Sequence, residues 1–169
     1  IDFVINPYIG CRFGCKYCYA SFMGRFVGKK VADWGEYVYP KINAPELLKK
    51  EIDRKLPDKG KGKEVFFSSV TDPYQGLEAK YKLTRECLEV LADWGFAGTL
   101  SILTKSNLVT RDIDILKRFQ NAVVGLTVTS ADDGISRYFE KYAPAVSDRF
   151  GALKKLNQAG IKTYAFIGP

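Results

Sequence analysis

"NPYIGCRFGCKYCYA", Asn6 to Ala20, carries three of the chain's four cysteines, spaced C-x3-C-x2-C from Cys11 to Cys18. A short apolar run, "FVIN" (Phe3–Asn6), leads into it and reads as a strand. The thiols therefore sit on the loop that leaves the first strand. In parallel α/β sheets, sites form at the carboxyl ends of strands. Whether this loop is such a site depends on the pattern of the remaining chain.

The rest of the chain repeats strand and helix. "EVFFSSV" (Glu64–Val70), "TLSILT" (Thr99–Thr104), "AVVGLTV" (Ala122–Val128) and "IKTYAFI" (Ile161–Ile167) are near-continuous apolar or β-branched runs, as expected of parallel strands covered on both sides. Between them lie four helical patterns. One is capped by Asn43 and buries Leu48, Ile52 and Leu56. A second turns Leu83, Cys87, Leu91 and Trp94 to one side and stops at Gly95. A third starts at Thr110, and a fourth starts at Ser147 with Phe150, Leu153 and Leu156 facing inward. Alternation of this kind predicts α/β with a parallel sheet. A closed eight-fold barrel takes about 250 residues. Five strands in 169 residues therefore predict an open, partial TIM barrel, with a doubly wound sheet as the alternative. The chain starts at Ile1 and stops at "FIGP", directly after a strand, and reads as a piece of a longer protein.

Composition sets wider bounds. With 46% hydrophobic and 27% charged residues, the chain can build an ordinary globular core. No apolar run approaches the roughly 18 residues of a membrane helix, so no membrane association is expected. Net charge is +7, from 26 basic and 19 acidic residues, which suits either a polyanionic partner such as nucleic acid or a plain solvated surface. The basic loop Asp58–Lys63 precedes the second strand and so falls on the face opposite the site. Arg12, Lys16, Arg25, Lys29 and Lys30 fall on the same face as the cysteines. Three crowded thiols and one distant one make no disulfide framework, and a reducing, cytoplasmic setting fits them better.

Structural zinc sites want four ligands. The only other cysteine is Cys87 and the chain has no histidine, so zinc would need a carboxylate or a second chain. A cubane iron–sulfur cluster with three thiolates and one open iron fits the count directly.

"CRFGCKYC" resembles the signature of the radical S-adenosylmethionine (SAM) superfamily, with Tyr17 as the aromatic before the last cysteine. "SSVTDPYQGLE", "SILTKS", "GLTVTS" and "APAVSDRFGALKKLNQAGI" are similar, in order, to segments of its spore photoproduct lyase-like group. The resemblance covers essentially the whole chain. It implies a radical SAM core domain over 1–169 with a [4Fe-4S] cluster on Cys11, Cys15 and Cys18. SAM would chelate the fourth iron and, on one-electron reduction, yield a 5′-deoxyadenosyl radical. A flavodoxin or ferredoxin would donate the electron.

The resemblance also implies roles for other positions. Tyr17 would lie by the adenine, and Tyr19 would line the active cavity or simply pack the loop. Ser69, Thr71 and Asp72 replace a Gly-Gly-Glu segment near the SAM amino group, although Asp72-Pro73 also reads as a turn starter. Lys105 would face the SAM carboxylate unless it is a surface lysine. Thr127 would contact SAM, or serve only β-propensity. Glu140 and Arg149 would contribute to SAM or form a helix-surface pair. Phe13 stands where many relatives have histidine. Ser69 takes the place of the hydrogen-donating cysteine of the lyase, and Cys87, on an apolar helix face, reads as a core filler rather than a replacement. The rival reading is a non-catalytic three-cysteine iron–sulfur or zinc module. Such a module has no need of Lys105, Thr71 and Asp72.

Overall fold

The computed structural model describes residues 1–168; Pro169, the last residue of "FIGP", lies outside the described residues. Strands β1 (Phe3–Ile5), β2 (Tyr8–Ile9) and β3 (Tyr39–Pro40) precede helix α1 (Ala44–Lys55). Next come β4 (Glu64–Phe67), α2 (Glu78–Tyr81), α3 (Leu83–Trp94), β5 (Thr99–Thr104) and α4 (Ile113–Leu116). The chain closes with β6 (Asn121–Val128), α5 (Asp133–Phe139), α6 (Val146–Gln158) and β7 (Lys162–Ile167).

Strands β1, β4, β5, β6 and β7 form one parallel sheet in that order. Spatial order equals chain order, so every crossover steps the same way. A doubly wound sheet reverses direction at a switch point, and no reversal occurs here. The sheet is therefore an open arc of a β/α barrel.

Register explains the two faces. Val65, Leu100 and Ala122 are paired neighbours, as are Phe67, Ile102 and Val124. Parallel partners point to the same side, and these rows form one core with Ile52, Leu88, Leu91, Leu116 and Leu156 from the helices. Alternate positions, Ser101, Leu103, Gly125 and Tyr164 among them, face the inside of the arc. At Gly125 a Cβ would lie 2.3 Å from the Tyr164 ring, so a larger residue fits there only if that ring moves.

The structure corrects several expectations. Not every strand is covered on both sides: β5 and β6 are largely buried, but in β7 Tyr164 is 39% and Phe166 43% exposed, since β7 is the sheet edge. Asn43 precedes α1 but makes no side-chain cap bond. The third helix does not start at Thr110. A 3₁₀ segment, Asn107–Asp112, begins after Ser106, whose Oγ accepts from Leu108 N, and only Ile113–Leu116 is α-helical. Phe150 is 47% exposed, and the inward face of α6 is Arg149, Ala152 and Leu156. Ser147 ties α6 to Asp133 of α5 rather than capping the helix. The antiparallel pair β2–β3 has too few residues to show a period.

The loops after β4 and β5 are clamped by buried charge. Glu78 accepts from Tyr8 Oη at 2.5 Å, Thr84 N at 3.0 Å and Arg111 at 2.7 Å. Asp112 accepts from Arg85 at 2.9 Å and Arg111 at 2.7 Å. Buried carboxylates are tolerable only when fully partnered, and these are.

Candidate active site

The cysteine loop makes two sharp turns, at Gly10 (φ 84°) and Gly14 (φ 58°). At Gly10 a side chain is also excluded by space, since a Cβ would meet the Tyr37 carbonyl at 2.5 Å. Gln75, fully buried, holds the first turn. Its Nε2 donates to the Gly10 carbonyl (3.3 Å) and to Thr71 Oγ1 (3.1 Å), and its Oε1 accepts from Arg12 N (3.0 Å). The second turn is held from the other side: Lys16 N donates to Phe139 O and Tyr142 N to Phe13 O.

Cys11, Cys15 and Cys18 then line one cleft with Phe13, Tyr19, Ser69, Thr71, Asp72, Lys105 and Thr127. These residues come from the ends of β4, β5 and β6 and from the loop after β1. A larger apolar groove lies between β1 and α1, lined by Phe3, Leu47 and Ile52, but it gathers no thiol, nucleophile or convergent charge. The cleft is therefore the candidate site.

Burial pushes all three thiols up, Cys11 well above its usual value and Cys15 to about 12. Only the thiolate ligates metal, so metal binding here must release protons. Among the described residues, no three cysteine, aspartate or glutamate side chains are gathered to hold a single ion. A cubane spreads its cysteines over separate irons.

Lys105 is no surface lysine. Its side chain is 17% exposed, with Nζ 3.8 Å from Glu140 Oε1 and 5.6 Å from the centre of the Tyr17 ring. Tyr17 Oη donates to the same carboxylate. Glu140 also accepts from Ser136 Oγ (2.9 Å) and Arg149 Nη2 (2.5 Å). Burial alone would raise the Glu140 pKa, but the Arg149 and Tyr17 bonds outweigh it and hold the carboxyl below its usual value. Glu140 and Arg149 are thus not a helix-surface pair: both are fully buried. Arg149 is turned away from the cleft, donating to the carbonyls of Thr127 and Pro144.

Asp72 closes the seam between β4 and β5. It accepts from Tyr74 N (2.9 Å), Thr104 Oγ1 (2.6 Å) and Lys105 N (2.8 Å). Burial raises its pKa, against the pull of these bonds. Thr71 Oγ1 donates to the Gly10 carbonyl. Tyr19 is exposed, and its hydroxyl donates to the Ser69 carbonyl at the mouth. Cys87 is buried in the helix-side core and does not line the cleft.

Two residues of the site escape a reading of the sequence. Gln75 lies within "TDPYQ", and nothing in its spacing marks its role. Ser68 is equally unmarked, yet it lines the cleft with φ 66°, a costly backbone for a serine, and its buried Oγ has no partner. An unpartnered hydroxyl beside three thiols suits a polar ligand bound next to a cluster.

A profile of the radical SAM superfamily matches residues 5–168. The chain belongs to the radical SAM superfamily. It is 43% identical over 168 residues to an uncharacterized protein of Methanocaldococcus jannaschii, covering 99% of this chain and 60% of that protein. It is 24% identical over 168 residues to a radical SAM Nα-GlyT isomerase of Pseudomonas phage M6, covering 97% of this chain and 32% of the isomerase. The radical SAM chain thus spans at most 60% of the length of these relatives. Among solved structures, spore photoproduct lyase complexed with dinucleoside spore photoproduct superposes with a TM-score of 0.68 at 19% identity, over 96% of this chain and 44% of that one. A mutant of the same lyase with bound AdoMet gives 0.65 at 20% identity, over 96% and 44%. At such identity the likeness establishes the fold: the sheet is the partial barrel of the radical SAM type.

Proposed function

We propose that residues 1–169 form the catalytic core of a radical SAM enzyme, with a [4Fe-4S] cluster on Cys11, Cys15 and Cys18 and SAM bound beside it. Bound together, these groups supply reductive cleavage of the SAM sulfonium and so start radical chemistry on a substrate. The observation that carries the reading is convergence. Three thiols, one shielded ammonium and one unpartnered hydroxyl share a cleft at the carboxyl ends of the strands.

In this reading Lys105 faces the SAM carboxylate. Glu140 holds it from behind, and Arg149 and Tyr17 hold Glu140. Ser68, Ser69 and Thr71 offer oxygens to the amino group, and the Asp72 carboxylate adds negative charge at the same end. Thr127 lies on the floor and Tyr17 beside the adenine. Tyr19, at the mouth, is the residue placed to meet substrate. Nucleic acid is the candidate substrate class, supported by Arg25 lying over the Phe22 and Phe26 rings at 5.2 and 4.7 Å, an arrangement on which bases stack. Binding of a single-stranded oligonucleotide, lost in Arg25→Ala, is its check.

The cluster itself is tested by metal analysis. Anaerobic reconstitution should give about four irons and four sulfides per chain, and Cys→Ala at position 11, 15 or 18 should remove them. Stoichiometric zinc in anaerobically prepared protein, or a full cluster in such a variant, would contradict the assignment.

A further inference from the structure

Cys15 and Cys18 border two depressions. One is the cleft that holds Lys105 and Thr127. The other is a shallow dip on the far side of the same loop, lined by Gly14, Lys16, Ser21 and Val31. Trp34 is the one other residue that borders both. Its indole packs against the buried group of Cys11, Phe13, Cys15 and Ala143, next to Cys18. At this point the wall between the cleft and bulk solvent is two cysteines and one ring.

The ring is held in place from three directions. Trp34 follows a 3₁₀ turn, Val31–Asp33, closed by its own N–H donating to Val31 O at 3.1 Å and by Lys30 N donating to Asp33 at 2.8 Å. The next residue, Gly35, has φ 97°, and a Cβ there would lie 2.8 Å from the Gly14 Cα. Glycine thus lets this segment lie backbone against backbone on the second turn of the cysteine loop. Tyr37 meets the Trp34 ring edge-on, with 6.1 Å between centres. An indole has a single polar group, which only donates. Burial pushes the Cys18 thiol up; against it, the Ala20 N–H and the Trp34 indole N–H donate to the sulfur and favour the thiolate.

We propose that Trp34 is a positioning residue for the cluster with two separable roles: its N–H on the Cys18 sulfur raises the reduction potential, and its ring keeps solvent off Cys15 and Cys18. The proposal rests on the radical SAM reading of the cleft. Reduction adds a negative charge that the thiolate sulfurs share, so a dipole aimed at one of them favours the reduced state. Water at the same sulfurs would favour it too. The ring, by excluding water, and the N–H therefore pull the potential in opposite directions. Substitution separates them: Phe keeps a ring and loses the N–H, whereas Ala loses both and admits water. A tryptophan that only fills space would leave the potential where it is.

The test uses the full-length protein, anaerobically reconstituted without SAM. The potential is read by titration with dithionite as the electron donor, followed by electron paramagnetic resonance of the reduced cluster. We expect Trp34→Phe to hold as much iron as the wild type, to lose it to EDTA at the same rate and to titrate at a more negative potential. Trp34→Ala should lose iron to EDTA several-fold faster than the wild type and titrate above Trp34→Phe. Trp94→Phe removes the other tryptophan of the chain, whose N–H donates to Asp53 at 2.7 Å among the outer helices, and should leave the potential unchanged. Iron missing from Trp34→Phe, a potential there equal to or above that of the wild type, or an equal shift in Trp94→Phe would overturn the tuning role. Iron loss from Trp34→Ala at the wild-type rate, or a potential no higher than that of Trp34→Phe, would overturn the shielding role. If Trp34→Ala takes up no cluster, Trp34→Leu replaces it with the same expectations. A wild type that takes up no cluster would sink the radical SAM reading instead, whatever Trp34 does.

Discussion

Lys105 shows what one residue contributes. Its ammonium is partly shielded and already faces Glu140, so a SAM carboxylate would complete its neutralisation. A charge-assisted contact of this kind is worth about 1.5–3 kcal/mol. Lys105→Ala should therefore weaken SAM binding roughly tenfold or more and leave iron content unchanged. Equilibrium binding of SAM to reconstituted protein checks this, and unchanged affinity would remove Lys105 from the site. Glu140 makes a different prediction. Its carboxyl is held below the usual value, so it stabilises the fold while ionised. That contribution is complete above the unfolded carboxylate pKa of about 4.3 and is lost as pH falls below it. Glu140→Gln leaves Arg149 buried without its counter-charge, at a cost of roughly 3–5 kcal/mol near neutrality. The gap between wild type and variant in denaturant titrations should narrow below about pH 4; a gap independent of pH would show that the charge pair is not its origin. Residue spacing alone placed Lys105 at a strand end. It paired Glu140 with Arg149 only as a helix-surface contact and did not reveal that the pair is buried behind Lys105, because two residues nine apart meet there only through the turn between α5 and α6.

At the scale of elements, strands were legible and termini were not. "TLSILT" became β5 without change, because a largely buried central strand leaves a near-continuous apolar or β-branched run. The Thr110 helix dissolved into a 3₁₀ segment capped by Ser106, a competition that local hydrogen bonds decide and periodicity does not record. The same limit hid Gln75, whose bonds to Gly10 and Arg12 span more than sixty positions. Gln75→Leu would leave the Arg12 N–H without a partner and reduce the Gly10 carbonyl to its bond from Thr71, costing about 1–3 kcal/mol for the orphaned N–H. The expected result is a normal far-UV circular dichroism spectrum with slower or incomplete cluster reconstitution. Full reconstitution at the wild-type rate would show that the loop holds its shape without Gln75.

For the whole molecule, spatial strand order that tracks chain order makes the arc, and the arc brings the loops after β1, β4, β5 and β6 to one end. The sequence pattern supported both an arc and a doubly wound sheet, since each alternates strand and helix; only pairing distinguishes them. The central claim is that the cleft at that end binds a cluster and SAM together. Its most direct test is to reduce the anaerobically reconstituted protein with dithionite in the presence of SAM and to measure 5′-deoxyadenosine by chromatography. Wild type should form it, and any one of Cys11→Ala, Cys15→Ala or Cys18→Ala should not. A protein that carries its full cluster and binds SAM yet forms no 5′-deoxyadenosine, or a cysteine variant that forms it at the wild-type rate, would contradict the account.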